Sequence, residues 1–164
     1  MKFILKGGGD RPMWMQKEMA YLKDLKSKEQ LCVEKYRKYA EQALDPALKG
    51  LFERIGQVEQ RHVQVVEGML NGTLPQQNAA GAQQNPQAPM QATYSQAPNP
   101  AKQQDAYLCQ DALGMEKLVS GEYETAIFEF CTPEARAALN QLQKDEQQHG
   151  EALYQYMQRN AMAS

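Results

Sequence analysis

The sequence predicts an all-α fold: a four-helix bundle made of two repeated antiparallel helical hairpins with a long crossover linker. Three observations carry this. Apolar residues recur every three or four positions along four stretches, which is the period of a helix with one buried stripe. The first pair of stretches returns in the second pair at a constant shift of 87 positions, so that Glu29, Tyr36, Pro46, Glu59 and His62 reappear as Glu116, Tyr123, Pro133, Glu146 and His149. Between the copies lie residues 73–102, rich in Gln, Asn, Pro and Ala and without apolar periodicity, which read as a linker.

Taken in order, Gly7-Gly8-Gly9 and Pro12 make residues 1–14 a flexible N-terminal arm. Helical spacing begins at Met15, and Leu22, Leu25, Glu29, Cys32, Tyr36, Tyr39 and Ala43 draw one seam. Asp45-Pro46 separates two helices, because Asp accepts from free amides at a helix start and Pro lacks the N–H that would be orphaned there. The second seam is Leu48, Phe52, Ile55, Glu59, His62, Val66 and Met69, closed by Asn71-Gly72. A coil of about thirty residues then reaches ~30 Å, enough to run the length of a bundle. The third seam is Cys109, Ala112, Glu116, Val119, Tyr123, Ala126 and Phe130, and Thr132-Pro133 repeats the cap-and-proline junction. Ala135, Leu139, Leu142, Glu146, His149, Leu153 and Tyr156 form the fourth. The expected helices are 15–44, 46–71, 104–131 and 133–159, giving hairpins 15–71 and 104–159 in one bundle spanning 15–160.

Composition narrows the function classes. A chain of 164 residues, 42% hydrophobic, supports one domain with a real core. A formal charge of -2 and no dense basic stripe give no electrostatic reason to expect nucleic acid or an acidic membrane as partner. Cys32, Cys109 and Cys131 form no Cys-x-x-Cys pair, which argues against a disulfide framework and against a rubredoxin or zinc-ribbon module. Phe3-Ile4-Leu5 is far short of a signal or membrane segment, so a cytoplasmic protein is expected.

The chemistry sits in Glu59-Gln60-Arg61-His62 and Glu146-Gln147-Gln148-His149, which hold both histidines of the chain. A Glu three residues before a His shares its helix face, close enough to share a metal ion. Glu29 lies 16 residues before Asp45 and Glu59 lies 14 after it, so in antiparallel helices both stand about 20 Å from the turn. Glu116 and Glu146 stand likewise about Thr132. Packing the hairpins seam to seam therefore brings four carboxylates and two imidazoles together. Such a cluster needs protons or a counter-charge, and two divalent cations cancel four carboxylates. The mixed oxygen and nitrogen donors suit iron or manganese and do not exclude zinc. Tyr36 and Tyr123 either hydrogen-bond these carboxylates or fill the core, and Cys32 reads as a small apolar filler.

One Glu on each of two helices and Glu-x-x-His on each of the other two resembles the ferritin-like di-iron carboxylate superfamily over residues 15–160. Within it the chain resembles rubrerythrins, in which a Tyr follows the helix-one ligand by about two turns. It also resembles Coat F-type spore coat proteins, with Glu116-Lys117 ahead of Tyr123, a short Pro-containing turn, and Glu59-x-x-His62 followed by Met69-Leu70. The first resemblance implies two metal ions, with Glu59 and Glu146 bridging and Glu29, His62, Glu116 and His149 each terminal on one ion, reacting with oxygen or peroxide. The second implies a structural component of the spore coat whose metal mainly stabilises it, with other coat proteins as partners. Rubrerythrins carry a further carboxylate where this chain has Val119, with Cys32 at the matching place on the first helix, so their ligand-switching chemistry is not expected. Without rubredoxin cysteines, electrons for turnover would come from an external donor protein. A fifth helix, which cage-forming ferritins add, is not expected either. The linker is long enough for a homodimer with swapped hairpins, the alternative to pairing within one chain.

Overall fold

The computed structural model describes residues 14–76 and 85–162. They form four helices: α1 (Gln16–Gln42), α2 (Pro46–Leu70), α3 (Pro100–Ile127) and α4 (Pro133–Arg159). No strand occurs among the described residues. Helices α1 and α2 form one antiparallel hairpin and α3 and α4 the other; α1 packs along α3, while α2 and α4 stand further apart.

The junctions follow the sequence with two differences. At the start of α2, Asp45 Oδ1 accepts from Ala47 N at 2.9 Å, and Pro46 takes the first helical position. At the end of α2, Gly72 adopts φ 84°, a left-handed conformation that glycine enters without a Cβ penalty. Helix α3 ends at Ile127, short of the expected 131, and starts earlier than the expected 104 because Asn99-Pro100 is itself a cap-and-proline junction: Asn99 Oδ1 accepts from Ala101 N at 2.7 Å. Thr132, by contrast, stands at the cap position of α4 but its hydroxyl makes no capping bond; Pro133 alone marks that start.

The core falls into two apolar clusters with the carboxylate layer between them. One contains Tyr36, Leu48, Phe52, Ile55, Leu108 and Leu153. The other contains Leu22, Leu25, Val66, Val119, Phe130 and Leu139. Residues 1–13 of the expected arm lie outside the described residues. Trp14, the arm's last residue, is buried, packs edge-on against Phe130 and donates to Met69 O at 2.6 Å.

The two hairpins are also tied by a pair of crossed latches. Glu18 on α1 accepts from Cys131 N at 3.1 Å, in the turn of the other hairpin. Asp105, its repeat counterpart on α3, accepts from Leu44 N at 2.8 Å and Asp45 N at 2.9 Å, in the first hairpin's turn. Both carboxylates are fully buried. Part of the crossover is pinned as well. Arg159 donates to Ala88 O and Pro89 O, Asn160 Oδ1 accepts from Thr93 N and Tyr94 N, and the Tyr94 hydroxyl donates to Asp105. Periodicity gave no sign of this, because these bonds reach single backbone groups and need no repeating apolar face.

Asp105 thus satisfies two backbone amides and a tyrosine hydroxyl at once. Asp105→Ala is expected to lower the unfolding free energy by about 2–4 kcal/mol through orphaned buried donors, measured by urea denaturation. A loss under about 0.5 kcal/mol would mean that water replaces the carboxylate.

Candidate metal centre

The structure brings all six sequence-predicted residues to one level of the bundle. Glu29, Glu59, His62, Glu116, Glu146 and His149 are all buried, at most 3% exposed, although each is polar or ionisable. Their ligand atoms form two groups: Glu29, Glu59, His62 and Glu146, and Glu59, Glu116, Glu146 and His149. Within each group the atoms lie within 4.8 Å of one another, and Glu59 and Glu146 belong to both. The rings of His62 and His149 stack with centroids 5.8 Å apart.

The tyrosines act across the hairpins. Tyr36, on the helix of Glu29, donates to Glu116 on α3, and Tyr123, on the helix of Glu116, donates to Glu29 on α1. Each hydroxyl therefore fixes a carboxylate of the other hairpin. Burial and the neighbouring glutamates push both phenols well above their ordinary range, so they remain donors.

His62 and His149 differ. His62 Nδ1 lies 3.0 Å from Glu59 and Glu146 and 3.5 Å from Glu29, while its Nε2 faces Asp145 Oδ2 at 3.0 Å. Asp145 is held in turn by Asn85 and Gln141, each at 3.0 Å. His149 Nδ1 lies 3.4 Å from Glu59 and 3.5 Å from Glu116, and neither of its ring nitrogens has a hydrogen-bond partner. Asp145 was missed from sequence because it is not repeated: the matching position is Val58. His62 and Asp145 also lie in the wall of a groove of about 640 Å³ between α2 and α4, lined by Val58, Val65, Ala138 and Leu142.

Several buried carboxylate and imidazole atoms are left without partners: Glu29 Oε2, both oxygens of Glu59, Glu116 Oε2, Glu146 Oε2 and both nitrogens of His149. Native interiors rarely leave such atoms unpaired. The residues that carry these atoms make up the two groups above, and the donor set of carboxylate oxygens and imidazole nitrogens is one that fits a pair of divalent cations.

Electrostatics within the cluster point the same way. Burial and the charges of Glu116 and Glu29 push Glu59 up to about 7, and burial with three neighbouring glutamates pushes Glu146 well above the carboxylate range. Burial acts upward on Glu116 too, but hydrogen bonding with Glu146 and the His149 charge outweigh it and hold Glu116 at about 2. Burial would lower His149, yet Glu116 and Glu59 raise it to about 9; His62 is likewise raised well above its ordinary range, burial being overcome by Asp145 and Glu146. Without metal the cluster neutralises itself with protons. Cys32 is buried, and burial plus the four glutamates raise its thiol far above its ordinary range, so it is an un-ionised filler.

Against known proteins, the fold has a solved counterpart. A two-domain protein of Anabaena variabilis containing DJ-1/ThiJ/PfpI-like and ferritin-like domains superposes with a TM-score of 0.66 over 90% of this chain, at 20% identity. The fold is ferritin-like. This chain spans 37% of the length of that two-domain chain. Residues 104–163, the α3–α4 hairpin with the last residues of the chain, match the Coat F domain. No curated protein matches the sequence. No described helix is long and apolar enough to cross a membrane.

The proton-held cluster gives metal-free protein a definite pH response. Glu59 at about 7 contributes stability that is complete below its ordinary 4.5 and lost as pH rises through 7. His149 at about 9 contributes stability that is complete below 6.5 and lost as pH rises through 9. Over both windows the folded state binds more protons than the unfolded chain, so stability falls with rising pH. The melting temperature of chelator-treated protein should drop steadily from pH 5 to pH 9; a flat or rising curve would contradict the charge assignment.

Proposed function

We propose that this ferritin-like bundle is a dimetal carboxylate protein, iron being the favoured metal, that reacts with oxygen or peroxide. The observation that carries the reading is the set of buried, unpartnered carboxylate and imidazole atoms falling into two groups that share Glu59 and Glu146. Sharing fits Glu59 and Glu146 as bridges, with Glu29 and His62 terminal on one ion and Glu116 and His149 on the other. Iron, if bound there, would supply the electrons that reduce the oxidant.

The chain's own residues set the conditions around that pair. The apolar clusters on either side of the layer exclude water along the bundle axis. The groove beside His62 and Asp145 adjoins one edge of the site. Tyr36 and Tyr123 hold Glu116 and Glu29 in place through their hydroxyls. Val119, fully buried, would offer the pair no further ligand where rubrerythrins have a carboxylate, and reduction of the site would depend on a separate donor protein.

A second reading is favoured by the Coat F match over residues 104–163: a spore coat component in which the metal mainly stabilises the bundle. The two readings separate on reactivity. Anaerobic Fe²⁺ titration should saturate at two ions per chain, and replacing Glu59 and Glu146 together by Ala should abolish the second equivalent and weaken the first. Stopped-flow mixing of the Fe²⁺ form with peroxide should then show rapid oxidation. Iron-loaded protein inert to both oxygen and peroxide, but present in isolated coats, would leave the coat reading standing. Saturation near zero equivalents would end the metal proposal.

Metal binding must displace the protons described above, so the rise in melting temperature caused by Fe²⁺ or Mn²⁺ should grow from pH 6 to pH 8. Differential scanning calorimetry under anaerobic conditions checks this, and a rise independent of pH would argue against ligation through His62 and His149. Light scattering with and without metal distinguishes a monomer from the swapped homodimer.

A further inference from the structure

We propose that the two metal positions are unequal, the one on His62 being tight and filled first and the one on His149 being the weaker, and that Asp145 is the positioning residue that makes the difference. The proposal rests on the dimetal reading above.

A histidine binds metal best when its other ring nitrogen donates to a carboxylate, because that bond fixes the tautomer and ring plane and raises ligand basicity. His62 has this arrangement. Its Nε2 faces Asp145 Oδ2 at 3.0 Å, so with Nε2–H donating, Nδ1 is the nitrogen turned to Glu29, Glu59 and Glu146, which lie 3.0–3.5 Å away, and it can take a metal once its own proton leaves. Asp145 is itself braced by Asn85 and Gln141, and Asn85 also donates to Gln148. The support is thus a braced chain of side chains that does not depend on metal.

His149 lacks any such support. It is fully buried, its Nε2 has no partner, and its Nδ1 lies near carboxylate oxygens without making a hydrogen bond. The repeat explains the difference. The position that holds Asp145 in the second hairpin holds Val58 in the first, and Val58 is buried at 4% exposure. The chain thus has no second carboxylate at the repeat position from which Asp145 supports His62, and with its Nε2 unpartnered His149 has neither tautomer nor orientation fixed, so an ion held by Glu116 and His149 would meet a less prepared ligand set.

The groove adds to the inequality. His62 and Asp145 lie in its wall, whereas His149 and Glu116 do not. The prepared position is therefore also the one on the groove side of the site.

The test is titration of full-length, chelator-treated protein with Co²⁺, followed by its visible absorption and by calorimetry. Native protein should bind two ions in resolved steps differing by about tenfold or more in affinity. Asp145→Ala should weaken the tight step by about 10–100-fold and merge the two. Asp145→Asn, whose carbonyl can still accept from Nε2–H, should keep them apart. Val58→Asp should tighten the weak step and leave the other unchanged; if that variant fails to fold, the Asp145 pair still decides. Two equal steps in native protein, or an Asp145→Ala variant that weakens both steps alike, would overturn this inference while leaving the dimetal reading intact. No Co²⁺ binding at all would overturn both.

Discussion

The constraint on which the rest of the structure depends is the burial of four carboxylates and two imidazoles in one layer of a helical bundle. Ionised together and unpaired, such groups would cost several kcal/mol each by desolvation. The chain meets this by neutralising the layer with protons when no metal is held, and by tying the helices together elsewhere. Apolar clusters close the layer on both sides, and Glu18 and Asp105 latch each hairpin to the turn of the other. The polar layer is tolerated because these ties hold the two hairpins together on either side of it.

Most of the centre was legible because the chemistry repeats. Glu29, Glu59 and His62 return as Glu116, Glu146 and His149, and antiparallel geometry then places them at one level without further assumption. What escaped the sequence is what repetition could not flag. Asp145 has Val58 as its counterpart, so no duplicated signal exists. The crossing of Tyr36 to Glu116 and Tyr123 to Glu29 depends on the relative rotation of two hairpins, which apolar spacing does not fix. The latches did repeat: Glu18 matches Asp105 and Leu44 matches Cys131. They stayed hidden because a backbone amide leaves no mark in side-chain patterning, and an isolated acid near a helix start reads as a favourable dipole contact.

Local polar chemistry also explains the displaced boundary of α3. The low-complexity composition of the crossover masked Asn99-Pro100, although the same kind of junction was read at Asp45-Pro46 where an apolar seam followed at once. From Asn85 onward the crossover is held by Arg159, Asn160 and Asp105, which come from the helices it passes. Its own residues supply mainly backbone acceptors and donors, so composition could not distinguish a docked strap from a free coil.

The placement of the costly layer bears on what a metal held there would be for. A metal that served only to stabilise would gain most where the bundle has few other ties. Here the latches, the buried Trp14 and the pinned crossover already tie the hairpins away from the centre. The centre instead concentrates what disfavours a metal-free fold: unpartnered carboxylate oxygens, a histidine with neither nitrogen satisfied, and glutamates pushed toward protonation by one another. Polar groups kept in so unfavourable a state are those whose use lies in what they bind. A groove beside His62 and an uneven support for the two histidines are features that the proposed reactive centre would use and that a purely stabilising one has no need of.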